Sequence, residues 1–558
     1  MLVNPSGKRA ALACEGDIRP AKIVRNNAGG VGTFEVDDMT RLRRFLILGS
    51  EGGTYYASQR HLSVENASAV ARLLEGGRGI EVVREAIATA VAGRAPKQGP
   101  TLFVLAMASR LGDAPTRSLV HRQLGSVCRT PTMLFEFIGL SKAMGEGTGW
   151  GRGLRRSVAG IYGSRTPAEL AYWCTKYRSR EGWTHRDVLR LAHAKPGSDG
   201  HQLVMSYICN DAIPELKADA DAAAESAESA AARAFLVAVE AARRSADPAA
   251  VVELIAQHRL AREHVPSQLL NSVEIWAALL ATMPMTAMLR NLAKMTAIGL
   301  LKPLSVAVRT ICERLGDPAA LRKARIHPFS VLLALKTYER GRGVKGSLTW
   351  EPVPALVAAL DGAFYAAFGH VVPTGKRFVL GLDVSGSMDC GDICGAPGIT
   401  PRVAAAAMCM ATLRTEPAAH PLAFTDRLVP LEINSRMSLT EVLDATGRLS
   451  FGPTDCAAPM LWALDNKIEA DVFVVFTDCE TWAGEVTPAQ ALRRYRDATG
   501  IQAQLAVVAM TSGGFTLADP EDAGMLDIVG FDAAAPQILR DFALGTHTLG
   551  AALDDLKL

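Results

Sequence analysis

The chain has 558 residues, of which 49% are hydrophobic and 21% charged, so it is long enough for two or three globular domains with substantial cores. It contains no run of about 18 apolar residues and begins without an apolar signal segment, so we expect a cytoplasmic protein with no membrane span. The net charge of +3 hides an asymmetry, because residues 371–558 carry 13 Lys and Arg against 24 Asp and Glu, while residues 1–370 carry 47 against 33. The basic part indicates a polyanionic partner, although solvated helix faces could produce some of the excess.

The amino-terminal segment is polar. Residues 1–25 contain Pro and Gly, and we expect them to be mobile. From Phe34 the pattern becomes helical, and Asp38 is the predicted N-cap of this first helix. The adjacent Tyr55 and Tyr56 could stack on nucleotide bases, but such residues more often pack in a core, so we assign them no function.

Residues 26–370 form the predicted first domain, which is all α-helical. Segments such as GIEVVREAIATAVAG and HPFSVLLALKTYERG are amphipathic at helical spacing, and short polar turns join them. Such a succession of paired helices predicts an α-solenoid of HEAT type, although no strict sequence repeat is present. The Ala- and Glu-rich stretch 216–244 predicts a helix with both faces in solvent.

Basic residues cluster twice in this domain, and a solvated helix face is the alternative interpretation of each cluster. The clustered residues are Arg152, Arg155, Arg156, Lys176, Arg180, Arg186, Arg190 and His193. The four-residue step from Lys176 to Arg180 predicts one shared helix face, and no acidic neighbour is expected to neutralise this pair. Similar steps predict a second face on the next helix, where Asp187 is the only acid. Interleaved aromatic residues, Tyr177 and Trp183, are typical of nucleic-acid surfaces.

Residues 371–558 alternate strands and helices, which predicts a mostly parallel three-layer α/β domain. The expected strands are 378–382, 421–424, 428–431, 472–477 and 503–508. The expected helices are 403–413, 439–446, 457–466, 488–498 and one near Ile538.

Oxygen-bearing side chains follow two buried strands of this domain. Asp383, Ser385 and Ser387 come directly after the apolar run FVLGL, and Asp478 follows VFVVFT. Thr454 lies in a turn between them. The carboxyl ends of parallel strands are where ligands bind in such sheets, and oxygen ligands suit Mg²⁺, Ca²⁺ or Mn²⁺. A capped loop is the alternative for the first three residues taken alone.

Several longer motifs carry a resemblance to a known family. They are SEGGTYY, WTHRDVLRLAHAKP, KARIHPF, PTGKRF, DVSGSM, PTDC, FTDCET and GFTLADP. The chain resembles, over nearly its full length, the Ro (SS-A) ribonucleoprotein family, which joins a TROVE module to a von Willebrand factor A-like domain. The resemblance implies a monomeric ring of HEAT-like helices closed by the A-like domain. It also implies binding of Y-like noncoding RNA outside the ring, and of misfolded RNA through a single-stranded 3′ end in the hole. In bacterial members it implies a link to an exoribonuclease and RNA quality control.

The resemblance also suggests roles for individual residues. The RNA-contacting positions of the family fall on Lys176, Arg180 and His193. The proposed metal ligands, Asp383, Ser385, Ser387, Thr454 and Asp478, resemble a metal-ion-dependent adhesion site, which we expect to hold Mg²⁺. One departure is Pro453, which stands where the family commonly has a second Gly before Thr-Asp; its fixed φ could change how Thr454 is presented.

Two other classes of function compete with RNA binding. An enzyme would need a poised nucleophile or a converging carboxylate pair, and the sequence offers neither, so we expect no catalysis. A protein-interaction scaffold, whose metal captures an acidic side chain of a partner, is the stronger competitor. Such a scaffold would not need the basic excess of residues 1–370.

Overall fold

The architecture is that of a helical region followed by an α/β domain. The computed structural model describes residues 23–25, 33–49, 67–145, 149–215, 225–343, 346–369, 371–393, 396–429, 431–449, 452–511 and 514–545. Residues 1–22, Tyr55 and Tyr56 lie outside the described ranges, and so do the predictions made for them. No helix among the described residues is long and apolar enough to span a bilayer.

The described part of the helical region, between residues 38 and 366, consists of successive helices. Its described helices are α1 (Asp38–Leu48), α2 (Ser68–Glu75), α3 (Gly79–Ala92), α4 (Gly99–Leu111), α5 (Ala114–Val127), α6 (Pro131–Ala143), α7 (Arg152–Gly163), α8 (Pro167–Lys176), α9 (His185–Ala192), α10 (Asp199–Asn210), α11 (Ala227–Arg244), α12 (Pro248–His258), α13 (Val273–Thr282), α14 (Met285–Ala297), α15 (Val306–Leu315), α16 (Pro318–Lys323), α17 (Pro328–Glu339) and α18 (Pro354–Ala366).

Local chemistry explains where these helices begin. Asp113, Thr130 and Thr166 each accept a backbone N–H of the first turn, and Pro follows within two residues. These side chains satisfy a donor that the helix leaves free, and Pro supplies a φ already suited to helix. Each helix then packs on near neighbours in sequence, for example α3 on α4 and α5, α8 on α11, and α17 on α18. This stepwise packing is that of a helical-repeat array.

The carboxyl-terminal domain contains a six-stranded sheet in the order β11-β9-β8-β5-β6-β7, parallel except for β7. The strands are β5 (Phe378–Asp383), β6 (Ala419–Phe424), β7 (Leu428–Val429), β8 (Val472–Thr477), β9 (Gln504–Ala509) and β11 (Met525–Val529). The helices are α19 (Pro401–Thr415), α20 (Leu439–Gly447), α21 (Ala458–Asp465), α22 (Pro488–Thr499) and α23 (Ala535–Ala543). β5 and β8 are buried along their whole length, as expected of central strands covered on both faces.

The helical region contacts the α/β domain at both of its ends. At the beginning, β2 (Thr33–Glu35) pairs with β1 (Ile23–Val24) on one side and with β10 (Phe515–Thr516) on the other. At the end, the Asp361 carboxylate of α18 accepts the Leu439 N–H at 3.1 Å. The chain therefore closes on itself, and the predicted fold class, a HEAT-like ring followed by a mostly parallel α/β domain, is confirmed.

Two local predictions are wrong. Phe34 lies in β2 rather than in a helix, and the N-cap of α1 is Asp37, whose Oδ1 accepts the Thr40 N–H at 2.7 Å. The Ala-rich stretch does not form a solvated helix where it is described. α11 buries one face, including Leu236 and Val239, against the preceding helices, because small alanines allow close approach.

Candidate metal centre and basic surface

The polar residues after β5 are buried and interact with one another. Asp383 and Ser385 are almost fully buried, and Ser387 is 8% exposed. The Asp383 Oδ1 atom accepts the Ser385 N–H at 2.9 Å, which fixes the turn that follows the strand. The hydroxyl oxygens of Ser385 and Ser387 lie 3.0 Å apart. Both hydroxyls therefore face the same small space as the carboxylate.

The end of the adjacent strand β8 supplies a second carboxylate to this space. Thr477 donates its hydroxyl to Asp383 Oδ2 at 2.6 Å, so the two strand ends are joined directly. Burial and the nearby charge of Asp383 raise the pKa of Asp478 to about 7, and the Glu480 N–H bound to its Oδ1 offsets only part of this effect. The Asp478 Oδ2 atom is buried without a hydrogen-bond partner. A bound cation would give the buried oxygen a partner and would reduce the repulsion between the two carboxylates.

Thr454 is presented by a loop tied to the residues that follow Asp478. The Thr454 carbonyl accepts N–H groups from Trp482 and Ala483, both at 3.0 Å, and the Thr481 hydroxyl at 3.2 Å. The Thr454 side chain is buried. These three donors hold the loop that carries Pro453 against the sheet edge. The structure thus brings all three predicted segments of the site to one edge of the sheet.

The donor set fits a hard divalent ion. Two carboxylates and three hydroxyls offer oxygen only, and Mg²⁺ commonly takes a few protein oxygens and keeps water on its remaining positions. No group of three or more His, Cys, Asp or Glu suited to a metal occurs in the described parts of the chain. The charge of Arg402 acts on Asp383, but its guanidinium also pairs with Asp389 at 2.8 Å.

The predicted basic residues lie within the stretch of the helical region that runs from α7 to the end of α9. Arg152, Arg155 and Arg156 are exposed on the first turns of α7. Arg186 and Arg190 are exposed one turn apart on α9, as predicted from their spacing. These five arginines form no ion pair with any described residue.

The prediction for Lys176 and Arg180 is wrong in its geometry. α8 ends at Lys176, and Arg180 lies in β3 (Ser179–Arg180), which pairs with β4 (Trp183–Thr184) as a hairpin. Both turn residues, Glu181 and Gly182, have positive φ, which is the type I′ geometry of two-residue hairpins. The prediction of no acidic neighbour is also wrong, because Arg180 Nε lies 3.1 Å from the Glu181 carboxylate.

Lys176 is half-buried among tyrosines. Its Nζ donates to the Tyr172 hydroxyl at 2.9 Å and lies 5.1 Å from the centre of the Tyr177 ring. Burial alone would lower the pKa of Lys176, but the hydrogen bond and the nearby tyrosines outweigh it and raise the pKa. Lys176 therefore stays charged, with its side chain held in one direction.

Buried histidines, which sequence reasoning missed, position this surface. His185 accepts the Tyr162 hydroxyl on Nδ1 at 2.8 Å and donates from Nε2 to the Tyr177 carbonyl at 2.9 Å. His264 lies 3.1 Å from the Thr175 hydroxyl, one residue before Lys176. Burial lowers the pKa of His185 to about 4 and that of His264 to about 3. By contrast His193 is exposed and caps α9 in the left-handed conformation.

Comparisons with known proteins match both modules. Residues 24–337 match the model of the TROVE domain, and residues 377–543 match that of the Ro60 vWA domain. The chain is 41% identical over 524 residues to the RNA-binding protein RO60 of Deinococcus radiodurans, covering 94% of this chain and 95% of that one. It is 38% identical over 584 residues to RNA-binding protein RO60 of Caenorhabditis elegans, covering 94% and 90%. The crystal structure of Deinococcus radiodurans RO (RSR) protein matches with a TM-score of 0.68 at 40% identity, covering 92% of this chain and all of that chain.

Proposed function

Since the chain belongs to the Ro60 family, which joins a TROVE domain to a vWA domain, we propose that it is a non-catalytic RNA-binding ribonucleoprotein of the cytoplasm. Its relatives in Deinococcus radiodurans and Caenorhabditis elegans are named as RNA-binding proteins. The observation that carries the proposal is the exposed basic surface on α7, the β3–β4 hairpin and α9. Arginines without acidic partners on such a surface suit phosphate oxygens.

The bound RNA is proposed to be a small structured RNA of the Y-like type, held outside the helical ring. Contacts to phosphates carry little sequence information, so recognition depends mainly on the shape of the RNA. Lys176 ends α8, Arg180 lies in the β3–β4 hairpin, and Arg190 and His193 lie at the end of α9, so these donors come from three neighbouring elements. Donors on separate elements suit phosphates of a folded RNA backbone.

A second class of RNA ligand is proposed to be misfolded noncoding RNA with a single-stranded 3′ end in the hole of the ring. The closure of the helical region on the α/β domain supports a ring that surrounds a strand. Under this proposal the protein delivers defective RNA to an exoribonuclease. The protein itself acts as a monomer that holds the substrate.

The site at the sheet edge is proposed to bind Mg²⁺ through Asp383, Ser385, Ser387, Thr454 and Asp478. When bound, the ion would neutralise the two carboxylates and leave coordination positions for water or for a partner's oxygen. This site lies in the acidic part of the chain, so a contact to a protein partner fits it better than a contact to phosphate.

The proposal is tested by measuring RNA affinity over a salt series. The double variant Lys176→Ala/Arg180→Ala is expected to weaken binding of a Y-like RNA and to reduce the slope of log affinity against log salt by roughly 0.7 to 1 per lost phosphate contact. Circular dichroism checks that the variant folds. A matched control, Arg436→Ala, removes an exposed arginine of the α/β domain and should change neither quantity. If the double variant keeps both its affinity and its slope, Lys176 and Arg180 do not bind RNA, and the RNA site would be sought first at Arg152, Arg155 and Arg156.

A further inference from the structure

Two tryptophans from separate elements meet beside the hairpin. Trp150 directly precedes α7, and Trp183 lies in β4; their ring centres are 6.3 Å apart with the planes inclined by 42°. Both side chains are only half-buried, although they touch the helical core on one side. Each side chain therefore keeps a minor part of its surface in water, and this accessible aromatic surface is available for stacking.

Basic side chains lie on the elements next to this pair. The Lys142 Nζ atom of α6 lies 5.3 Å from the centre of the Trp183 ring, over its electron-rich face. Arg180 is the register partner of Trp183 in the hairpin, so the two side chains project from the same face. Arg152 lies two residues after Trp150 and is exposed. Lys142, Arg152 and Arg180 thus bring positive charge to the elements around the aromatic pair, and the Glu181 carboxylate, 3.1 Å from Arg180 Nε, is an acidic neighbour.

The surrounding structure holds both rings in place. Gly139 of α6 faces Trp183 so closely that a Cβ there would lie 3.6 Å from the indole nitrogen. Arg110 donates to the Ser141 carbonyl at 2.9 Å and reaches the Gly149 carbonyl at 3.5 Å, which ties down the chain before Trp150. A ring that is fixed before binding loses little conformational entropy when a ligand stacks on it.

We propose that Trp150 and Trp183 form a stacking site for the bases of a single-stranded RNA segment, with its phosphates on Lys142, Arg152 and Arg180. The inference rests on the proposed function and adds a contact to bases, which the phosphate-binding residues alone do not make. Aromatic stacking accepts any base, so the site favours unpaired RNA without selecting a sequence. A paired stem cannot reach it, because its bases already stack within the helix.

The test uses two probes of equal length and charge, a ten-nucleotide uridine oligomer and its abasic counterpart. The full-length wild type is expected to bind the uridine oligomer about tenfold more tightly, the order of one stacked base. Trp150→Leu and Trp183→Leu should each reduce this preference to within about twofold while leaving affinity for the abasic oligomer unchanged. Lys142→Gln should weaken both probes equally.

The matched control is Trp482→Leu, which removes a half-exposed tryptophan of the α/β domain and should keep the full preference. Circular dichroism confirms folding, and the two single variants provide independent tests if one of them is unstable. Equal binding of both probes by the wild type, or a full preference in both variants, would show that the pair only packs the hairpin onto α6. Failure of the proposed function looks different, because then neither probe nor a Y-like RNA would bind.

Discussion

Arg44 of α1 donates to both carboxylate oxygens of Asp527 in β11, at 2.6 and 3.3 Å, across the junction between the helical region and the α/β domain. The Arg44 side chain is 1% exposed and also donates to the Phe515 carbonyl at 3.0 Å. We predict that Arg44→Met lowers the free energy of unfolding by about 3 to 5 kcal/mol, because it leaves Asp527 buried without its cation. Urea unfolding followed by circular dichroism measures this change.

Two further variants separate the ion pair from a general effect of losing charge. Arg44→Met combined with Asp527→Leu should recover part of the loss, since no charge is then left buried. Arg78→Met removes an exposed pair with Glu81 and should cost less than about 1 kcal/mol. Equal losses of unfolding free energy for Arg44→Met and Arg78→Met would show that the Arg44–Asp527 ion pair contributes no more than an exposed one.

The proposed metal site predicts that Asp383→Ala removes a bound divalent cation while the domain stays folded. Asp383 joins the Ser385 turn to Thr477, so its loss also removes this side-chain link, while the backbone pairing of β5 with β8 holds the strands together. Elemental analysis of dialysed protein should give about one equivalent of metal for wild type and much less for the variant. Asp497→Ala, an exposed acid on α22, is the control and should keep its metal. Equal metal in wild type and Asp383→Ala would rule out this site.

RNA binding should not depend on that cation. The five proposed ligands lie in the part of the chain that carries 24 acidic against 13 basic residues, which repels phosphate. We expect Asp383→Ala and wild type to bind a Y-like RNA within about twofold in the same Mg²⁺ buffer, so that the RNA fold is unchanged. A large loss of affinity would mean that the ion bridges to RNA or holds the ring closed.

The central strands of the sheet could be predicted well because each of them is a short, uninterrupted run of apolar residues. FVLGL and VFVVFT are apolar without alternation, and this pattern predicts buried parallel strands without further context. β11 was missed because Asp527 interrupts it. Arg44, 483 positions away, neutralises that carboxylate, and the Thr516 hydroxyl donates to it at 2.6 Å. An ion pair between residues so far apart in sequence leaves no local pattern from which β11 could be predicted.

The sequence predicted which basic residues form the surface, but not the backbone structure that carries Lys176 and Arg180. A four-residue step suggested one helix face for Lys176 and Arg180, yet the chain leaves the helix between them. The signal was present in Glu181-Gly182, a turn pair, followed by Thr184 and Asp187, which form the capping box of α9. The meeting of Trp150 with Trp183 had no such signal, because it depends on how α6, α7 and the hairpin pack together.

Glu181 is predicted to weaken RNA binding, because its carboxylate competes with phosphate for Arg180. Glu181→Gln should therefore strengthen binding of a Y-like RNA by up to about fivefold, the value of an exposed ion pair. The gain should shrink at high salt, where the pair is screened. Glu253→Gln on α12 makes the same change in net charge away from the hairpin and should have no effect. An unchanged affinity for Glu181→Gln would show that Arg180 does not reach the RNA.

The buried histidines predict a loss of stability in mild acid. The folded-state pKa of His185 and of His327 is about 4 and that of His264 about 3, all depressed by burial, whereas each is near 6.5 in the unfolded chain. The unfolded chain therefore takes up protons first as the pH falls below 6.5, so stability that is complete above pH 6.5 is lost between there and about pH 4. At pH 5.5 each histidine should cost about 1.4 kcal/mol relative to its value at high pH.

In the metal-free protein Asp478 acts in the opposite direction over this range, because its raised pKa of about 7 lets the folded state bind a proton that the unfolded state does not. The contribution of one histidine is therefore isolated by comparing variants that all retain Asp478. His185→Gln should show a change in unfolding free energy between pH 7.5 and pH 5.5 that differs from wild type by about 1.4 kcal/mol, in the direction of less acid sensitivity. His193→Gln, which replaces an exposed histidine, should behave as wild type. If His185→Gln keeps the pH dependence of wild type, His185 is protonated in the folded protein, and its hydrogen bonds to Tyr162 and Tyr177 must be assigned differently.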